Sequence, residues 1–279
     1  MQVFKTIFSL QEFLQAVRLS GYSVGLVPTM GALHTGHLSL IEASKKQNDL
    51  TVCSIFVNPT QFNNAHDLSV YPRTLDTDCQ MLDSVGCDIV FAPSAEEMYP
   101  NLPNIKFNFG DLERVMEGQF RPGHFNGVGI VVSKLFNIVQ PDNAYFGQKD
   151  LQQCAVVNRL VKDLSFSLML NICPTQRETD GLAMSSRNRN LSPEQRADAP
   201  HIYKALQKVA ELLRQNKSSE EVKTFVRQYF KALPIFELEY FEISDFETLQ
   251  PIDELQKGKT ALCIAAFMGK TRLIDNVIL

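Results

Sequence analysis

Val27-Pro28-Thr29-Met30-Gly31-Ala32-Leu33-His34-Thr35-Gly36-His37 is the stretch on which the reading of this chain turns. The apolar run Val24-Gly25-Leu26-Val27 enters it as a buried strand, and Pro28, which cannot donate to a sheet ladder, is expected to end that strand. Beyond His37, apolar Leu38 and Ile41 with basic Lys45 and Lys46 describe a helix to about Gln47. Strand, small-residue turn and helix start leave backbone N–H groups unpaired and aimed above the turn, which suits an anion. Gly31 and Gly36 carry no Cβ and let the backbone approach a ligand closely. His34 and His37, three apart, face one spot if the helix begins near Thr35. The rival readings are a metal half-site, which has no third ligand at suitable spacing, and plain helix-capping histidines.

Outward from this stretch, strands alternate with helices. Ser9–Leu19 carries a helical stripe of Leu10, Phe13, Leu14 and Val17. Thr51–Val57 is a second strand at a separation that suits a βαβ unit. Asp88–Phe91 is a third, after a helical stretch holding Leu75, Met81, Leu82 and Val85. Val128–Ile138 reads as a buried helix, Asn143–Phe146 as a short strand, Leu151–Leu164 as a helix and Leu168–Ile172 as a strand. The pattern predicts an α/β fold, a doubly wound, Rossmann-like parallel sheet.

The second half differs. Ser192-Pro193-Glu194-Gln195 is a helix start, interrupted by Pro200; Ile202, Leu206, Val209 and Leu213 stripe the next helix. Ser218 and Glu221 form a capping box for another helix, and Leu238–Ser244 and Thr260–Phe267 read as strands. This predicts a smaller C-terminal α+β domain. The division is placed at 1–176 and 177–279, the second acting as a lid.

Composition bounds the function. The 279 residues are 44% hydrophobic and 21% charged, as in an ordinary soluble globular protein. A net charge of −4 argues against nucleic acid as a partner. Six cysteines without C-x-x-C spacing predict free thiols and a cytoplasmic location. No eighteen-residue apolar run and no signal-like N-terminus point to a membrane or to secretion.

Ligands on open parallel sheets bind beyond the carboxyl ends of the strands, and four unusual segments fall there. They are the His34–His37 turn, Asn58-Pro59-Thr60-Gln61-Phe62, Gly147-Gln148-Lys149-Asp150 with Gln152 and Gln153, and Pro174-Thr175-Gln176-Arg177 leading to Met184-Ser185-Ser186-Arg187. Lys149 reads equally as a phosphate cation or a solvated loop lysine. Ser185-Ser186-Arg187 matches phosphate oxygens, or is ordinary turn chemistry. Gln61 could read a small polar substrate, or mark a plain turn. His124, in the loop Arg121-Pro122-Gly123-His124-Phe125, could be a ligand or a structural histidine.

The tetrad His34-Thr35-Gly36-His37 resembles the H-x-G-H motif of nucleotidyl transferases, whose imidazoles lie along an ATP triphosphate. More widely, the chain resembles the pantoate–β-alanine ligase family in PTMGALHTGHLSL (28–40), SIFVNPTQF (54–62), YPRTLDTD (71–78), RPGHFNGV (121–128), FGQKDLQQ (146–153), DGLAMSSRN (180–188) and TRLIDN (271–276). The resemblance implies condensation of pantoate with β-alanine through a pantoyl adenylate, with release of pyrophosphate and AMP, a step toward coenzyme A. It implies ATP contacts at Met30, Gly31, Ala32, Leu33, His34, Thr35, Gly36 and His37, at Gly147, Gln148, Lys149 and Asp150, and at Gln176, Met184, Ser185, Ser186 and Arg187. Of these, His34, His37, Lys149 and Arg187 would be catalytic. Gln61 and Gln153 are implied on pantoate, Gln61 also on β-alanine, and Asn58, Tyr71 and His124 nearby. Mg²⁺ would accompany ATP with Asp78 as its carboxylate, or Asp78 faces solvent at a helix start. A homodimer through the N-terminal domain is also implied. The chain departs from the family at Asn63-Asn64-Ala65-His66-Asp67, where glycine and an acid are usual, and at Gln176, where a branched aliphatic is usual. The rivals are a nucleotidyl transferase that releases its adenylylated product, an aminoacyl-tRNA synthetase relative, disfavoured by the net charge, and a non-catalytic nucleotide sensor.

Overall fold

A computed structural model describes residues 1–63 and 65–279, so of the departing loop Asn64 lies outside the described residues. The chain opens with β1 (Gln2–Phe4), α1 (Ile7–Leu19), β2 (Val24–Thr29), α2 (Thr35–Lys45) and β3 (Leu50–Ile55). There follow α3 (Ala65–Val70), α4 (Leu75–Ser84), β4 (Ile89–Phe91), α5 (Ala95–Met98), α6 (Met116–Phe120) and α7 (His124–Val139). β5 (Asn143–Gly147), α8 (Leu151–Asp163) and β6 (Met169–Cys173) complete a six-stranded parallel sheet in the order β1-β4-β3-β2-β5-β6.

Successive strand side chains point to opposite faces, so the sheet carries two cores. Val24 and Leu26 join the cluster formed with α1, α7 and α8, whereas Val27 joins Leu40, Ile41 and Leu82 of α2 and α4. Burial on both faces is why the strand reads as one apolar run. α7 buries residues all round its circumference, which explains its near-continuous apolar sequence.

β2 does not end before Pro28 as expected; it runs through to Thr29, with Pro28 in register with Ser54. The Thr29 carbonyl accepts from the Phe56 N–H on the β3 side, so the Pro28 nitrogen faces the β5 side. Pairing with β5 has stopped there at Leu26, and the missing donor leaves no gap in a ladder.

The C-terminal part contains α9 (Pro193–Asp198), α10 (His201–Arg214) and α11 (Ser219–Lys231). An antiparallel sheet follows, β7 (Glu237–Asp245), β8 (Thr260–Met268) and β9 (Thr271–Ile278), in that order. Leu262, Ile264 and Ala266 of β8 pack on α10 and α11, while Ala261 and Cys263 on its other face join the large core of the first half. β1 and β9 are strands that the sequence reading did not anticipate.

Candidate active site

The sequence order of the strands reverses between β2 and β5, and a cleft of about 240 Å³ opens beyond their carboxyl ends. All four unusual segments reach it. Met30, His34, Gly36, His37, Gln61, Gly147, Lys149, Asp150, Gln153, Gln176, Met184, Ser185, Ser186 and Arg187 line the cleft, with Asn58, Tyr71 and His124. Gly31, Ala32, Leu33, Thr35, Gln148 and Asp78 are not on its wall.

The first turn is built inward. Gly31 takes φ +80°, and a Cβ there would lie 3.0 Å from Asp78 Oδ2. The N–H groups of Ala32 and Leu33 donate to Asp78 Oδ2 and Oδ1 at 3.0 and 2.8 Å, and Thr74 Oγ1 donates to Oδ2 at 3.1 Å. Asp78 is 1% exposed. Its carboxylate therefore ties the turn to α4 rather than meeting a metal, and the N–H groups of Ala32 and Leu33 are already used. Both glycines admit the turn's own partners: a Cβ on Gly36 would lie 2.9 Å from the His34 ring, and Gly36 lines the cleft as well.

The two histidines cap α2 and line the cleft at once. His34 Nδ1 accepts from the Gly36 N–H at 3.2 Å, and His37 Nδ1 accepts from the His34 N–H at 3.4 Å. A backbone N–H can only donate, so both Nδ1 atoms are unprotonated and each neutral ring carries its proton on Nε2. Burial, then the Lys149 charge, lowers His34 from the usual 6.5 to about 4. Burial, then His34, lowers His37 to about 3. The cleft thus receives two neutral N–H donors on rings 4.1 Å apart.

Beyond β3, a 3₁₀ turn at Pro59–Gln61 sits directly on α7, because Gly127 has no Cβ; one there would lie 2.3 Å from the Thr60 carbonyl oxygen. Asn58 Oδ1 accepts from the Thr60 N–H at 3.3 Å and Tyr99 OH at 2.9 Å. Asn58 Nδ2 donates to the Gly127 carbonyl at 3.2 Å and Gln61 Oε1 at 3.1 Å. These partners fix the Gln61 amide with Nε2 free to donate, here to Met30 Sδ at 2.9 Å. His124 Nδ1 donates to the Gln61 carbonyl at 2.8 Å, leaving Nε2 to accept from Arg121 at 3.3 Å. Burial, then Arg121, lowers His124 to about 4.

Beyond β5, Lys149 and Asp150 lie on a 3₁₀ turn with Nζ 3.8 Å from Oδ1. The Asp150 carboxyl is half-exposed; desolvation beside the cleft works to raise it, but the charges of Lys149, then Arg187, hold it below its usual range. Beyond β6, the Met184 N–H donates to the Gln176 carbonyl and a bridge joins Arg177 to Ala183, so the chain doubles back. This returns Ser185, Ser186 and Arg187 to the cleft, whose wall Tyr71 also joins. Arg189 closes the rim on the Leu33 carbonyl at 3.2 Å.

Three cations, Arg121, Lys149 and Arg187, and one carboxylate, Asp150, line the cleft among the described residues. Val131, Val132, Leu135 and Phe146 supply an apolar wall. Such a site accepts a polyanion with an apolar portion. No cluster of three or more His, Cys, Asp or Glu suited to a metal ion occurs among the described residues. A divalent ion fits only as a companion of the anion's own oxygens, with Asp150 as protein carboxylate. Arg121 and Tyr99 were not assigned from sequence: Arg121 sits in a Pro-Gly loop, and Tyr99 lies far from Asn58 in the chain.

The pantoate–β-alanine ligase family profile matches residues 2–278. A pantothenate synthetase of Bacteroides fragilis is 50% identical over 278 residues, covering 99% of this chain and 98% of that protein. One from Moorella thermoacetica is 47% identical over 280 residues, covering 100% and 99%. The crystal structure of pantothenate synthetase from Thermus thermophilus superposes with TM-score 0.94 at 43% identity, covering 100% of this chain and 99% of that one. Pantoate–β-alanine ligase from Francisella tularensis, described as complexed with β-γ ATP and β-alanine, gives TM-score 0.79 at 36% identity, covering 100% and 97%.

Proposed function

The chain belongs to the pantoate–β-alanine ligase family, and from that premise we propose how its own residues carry the reaction. The enzyme is an ATP-dependent, AMP-forming ligase that joins pantoate to β-alanine. A carboxylate is inert to amines because its leaving group is too poor. One pantoate carboxylate oxygen therefore attacks the α-phosphorus of ATP, the bond to the bridging oxygen breaks, and pyrophosphate leaves. The β-alanine amine then attacks the acyl carbon, AMP departs with the electron pair of the broken C–O bond, and the amine loses its proton.

Charge builds on phosphoryl oxygens in the first step, and pre-placed donors stabilise it without reorganisation. Lys149, Arg187 and the Nε2–H groups of His34 and His37 take this role. The hydroxyls of Ser185 and Ser186 bind the triphosphate. Gln61, with Nε2 held inward, donates to pantoate together with Gln153, and Asn58 and His124 hold Gln61. When bound with ATP, Mg²⁺ neutralises phosphate charge, and Asp150 is the carboxylate that would hold it. The observation that carries this reading is the pair of capped imidazoles, whose acceptor nitrogens are occupied by the backbone and whose donors are left for the cleft. We further propose that residues 1–176 and 177–279 form the two domains, and that the enzyme is a cytoplasmic homodimer paired through the first.

The test is exchange of labelled pyrophosphate into ATP with pantoate and Mg²⁺ present and β-alanine absent. Exchange is expected, and it should vanish without pantoate. Gln61→Ala and Gln153→Ala should weaken it roughly ten- to a hundredfold, since each leaves a desolvated polar group of pantoate without its partner, at about 1–3 kcal/mol. Exchange that requires β-alanine would overturn the two-step order.

A further inference from the structure

The turn that carries Lys149 is held by the other domain. β5 pairs with β6 only as far as Gly147, so the turn beyond it has no strand neighbour. The Asp150 side chain makes no capping bond to α8 either. Instead Asn276, on β9 and 3% exposed, donates from Nδ2 to the carbonyls of both Gln148 and Lys149 at 2.9 Å. Its Oδ1 accepts from Gln148 Nε2 at 3.1 Å. Two carbonyls can only accept, so the NH₂ must face them and the amide has a single orientation.

Asn276 is fixed in turn. Its N–H donates to Asp275 Oδ1 at 2.8 Å, and Arg177, paired with both Asp275 oxygens at 2.6 and 3.0 Å, donates to the Asn276 carbonyl at 3.2 Å. Clamping two consecutive carbonyls fixes the peptide planes on either side of the Lys149 Cα. That sets the direction in which its side chain leaves the backbone.

We propose that Asn276 is a positioning residue for Lys149, so that the small domain sets the aim of the cation in the large one. This rests on the role given to Lys149 above. The experiment is a double-mutant cycle of wild type, Asn276→Ala, Lys149→Ala and the pair, read by pantoate-dependent pyrophosphate exchange and by melting temperature. Asn276→Ala should lose roughly ten- to a hundredfold in kcat, the scale of a misplacement near 1 Å, with KM for pantoate unchanged. In the Lys149→Ala background the same change should cost no further activity. An equal loss in both backgrounds, or full activity of Asn276→Ala, would overturn the latch alone. Wild-type exchange by Lys149→Ala would overturn the Lys149 role and the latch with it. Asn276→Asp keeps the volume and an acceptor for Gln148 but offers no donor to the two carbonyls. It should reproduce the loss even where the Ala variant does not fold, and normal exchange by it would also overturn the proposal.

Discussion

His34, His37 and His124 are neutral because each holds an unprotonated ring nitrogen against a donor and is shielded from water. Their folded-state values of about 4, 3 and 4 lie below the usual 6.5. Between those values and 6.5 the unfolded chain binds more protons than the folded one. Stability is therefore full above 6.5 and falls as pH drops toward 4. For His124, which is 6% exposed, the loss by about pH 5 is roughly 2 kcal/mol. Urea melts at pH 7 and 5 should show it, and His124→Gln should flatten the slope; an unchanged slope would count against a neutral His124. Catalysis needs no imidazolium, so the acid limb of kcat/KM for ATP should fall below about pH 5 rather than near 6.5. Asp78 gives a contrasting prediction. Asp78→Asn removes the charge from hydrogen bonds to two backbone N–H groups, a loss of about 1–3 kcal/mol. Melting temperature should drop while the Mg²⁺ concentration for half activity stays fixed. A shifted Mg²⁺ titration would return Asp78 to the metal.

At the scale of elements, α7 and the 3₁₀ turn after β3 meet through a glycine. Gly127→Ala would push the Thr60 carbonyl away and carry Gln61 with it, since the Cβ has only 2.3 Å. KM for pantoate should rise more than KM for ATP, because His34, His37 and Lys149 hang from other strands; equal effects would argue against Gln61 as the pantoate contact. The sequence announces α7 through Val128, Val131, Val132, Leu135 and Phe136 at helical spacing, although so apolar a run is by itself ambiguous with a buried strand. It announces β2 and its turn through a short apolar run, buried on both faces, that leads into glycines and a helix start. It does not announce β1, three residues without a period, or β9. β9 carries Arg272, Asp275 and Asn276 at buried or half-buried positions, and their partners Glu117, Arg177 and Gln148 are distant in the chain. A buried polar residue reads as a surface residue until its partner is known. Asp78 misled for that reason: an acid in a first helical turn resembles a solvent-facing group or a ligand, and only folding brings Ala32 and Leu33 to it. The cleft itself was more legible, because its four loops all follow strands.

For the whole molecule, the same partners decide whether the C-terminal domain is a free lid. Two-faced β8 lends Ala261 and Cys263 to the large core, so removing residues 177–279 uncovers apolar surface as well as the cleft. Glu117 on α6 pairs bidentately with Arg272 on β9 at 2.7 Å through both oxygens. Arg177 pairs with Asp275, which is 4% exposed, and stacks on Tyr203 at 3.7 Å. A free lid would leave residues 1–176 able to fold alone, if their exposed face is tolerated, yet unable to form adenylate. With this seam the fragment should instead bind hydrophobic dye and melt without a cooperative transition; a cooperative melt would restore the independent lid. Arg177 tests the seam within the full chain. A buried carboxylate stripped of its partner costs about 3–5 kcal/mol, whereas replacing both charges by apolar groups of similar volume is often neutral. Arg177→Met alone should therefore lower stability sharply, and adding Asp275→Leu should recover much of it. Activity should follow a different course. The double variant regains packing but no longer holds the Asn276 carbonyl through Arg177 or its N–H through Asp275, so pyrophosphate exchange should stay low after stability returns. Recovery of both together would mean that the seam only binds the domains, and that the aim of Lys149 is set within the large one.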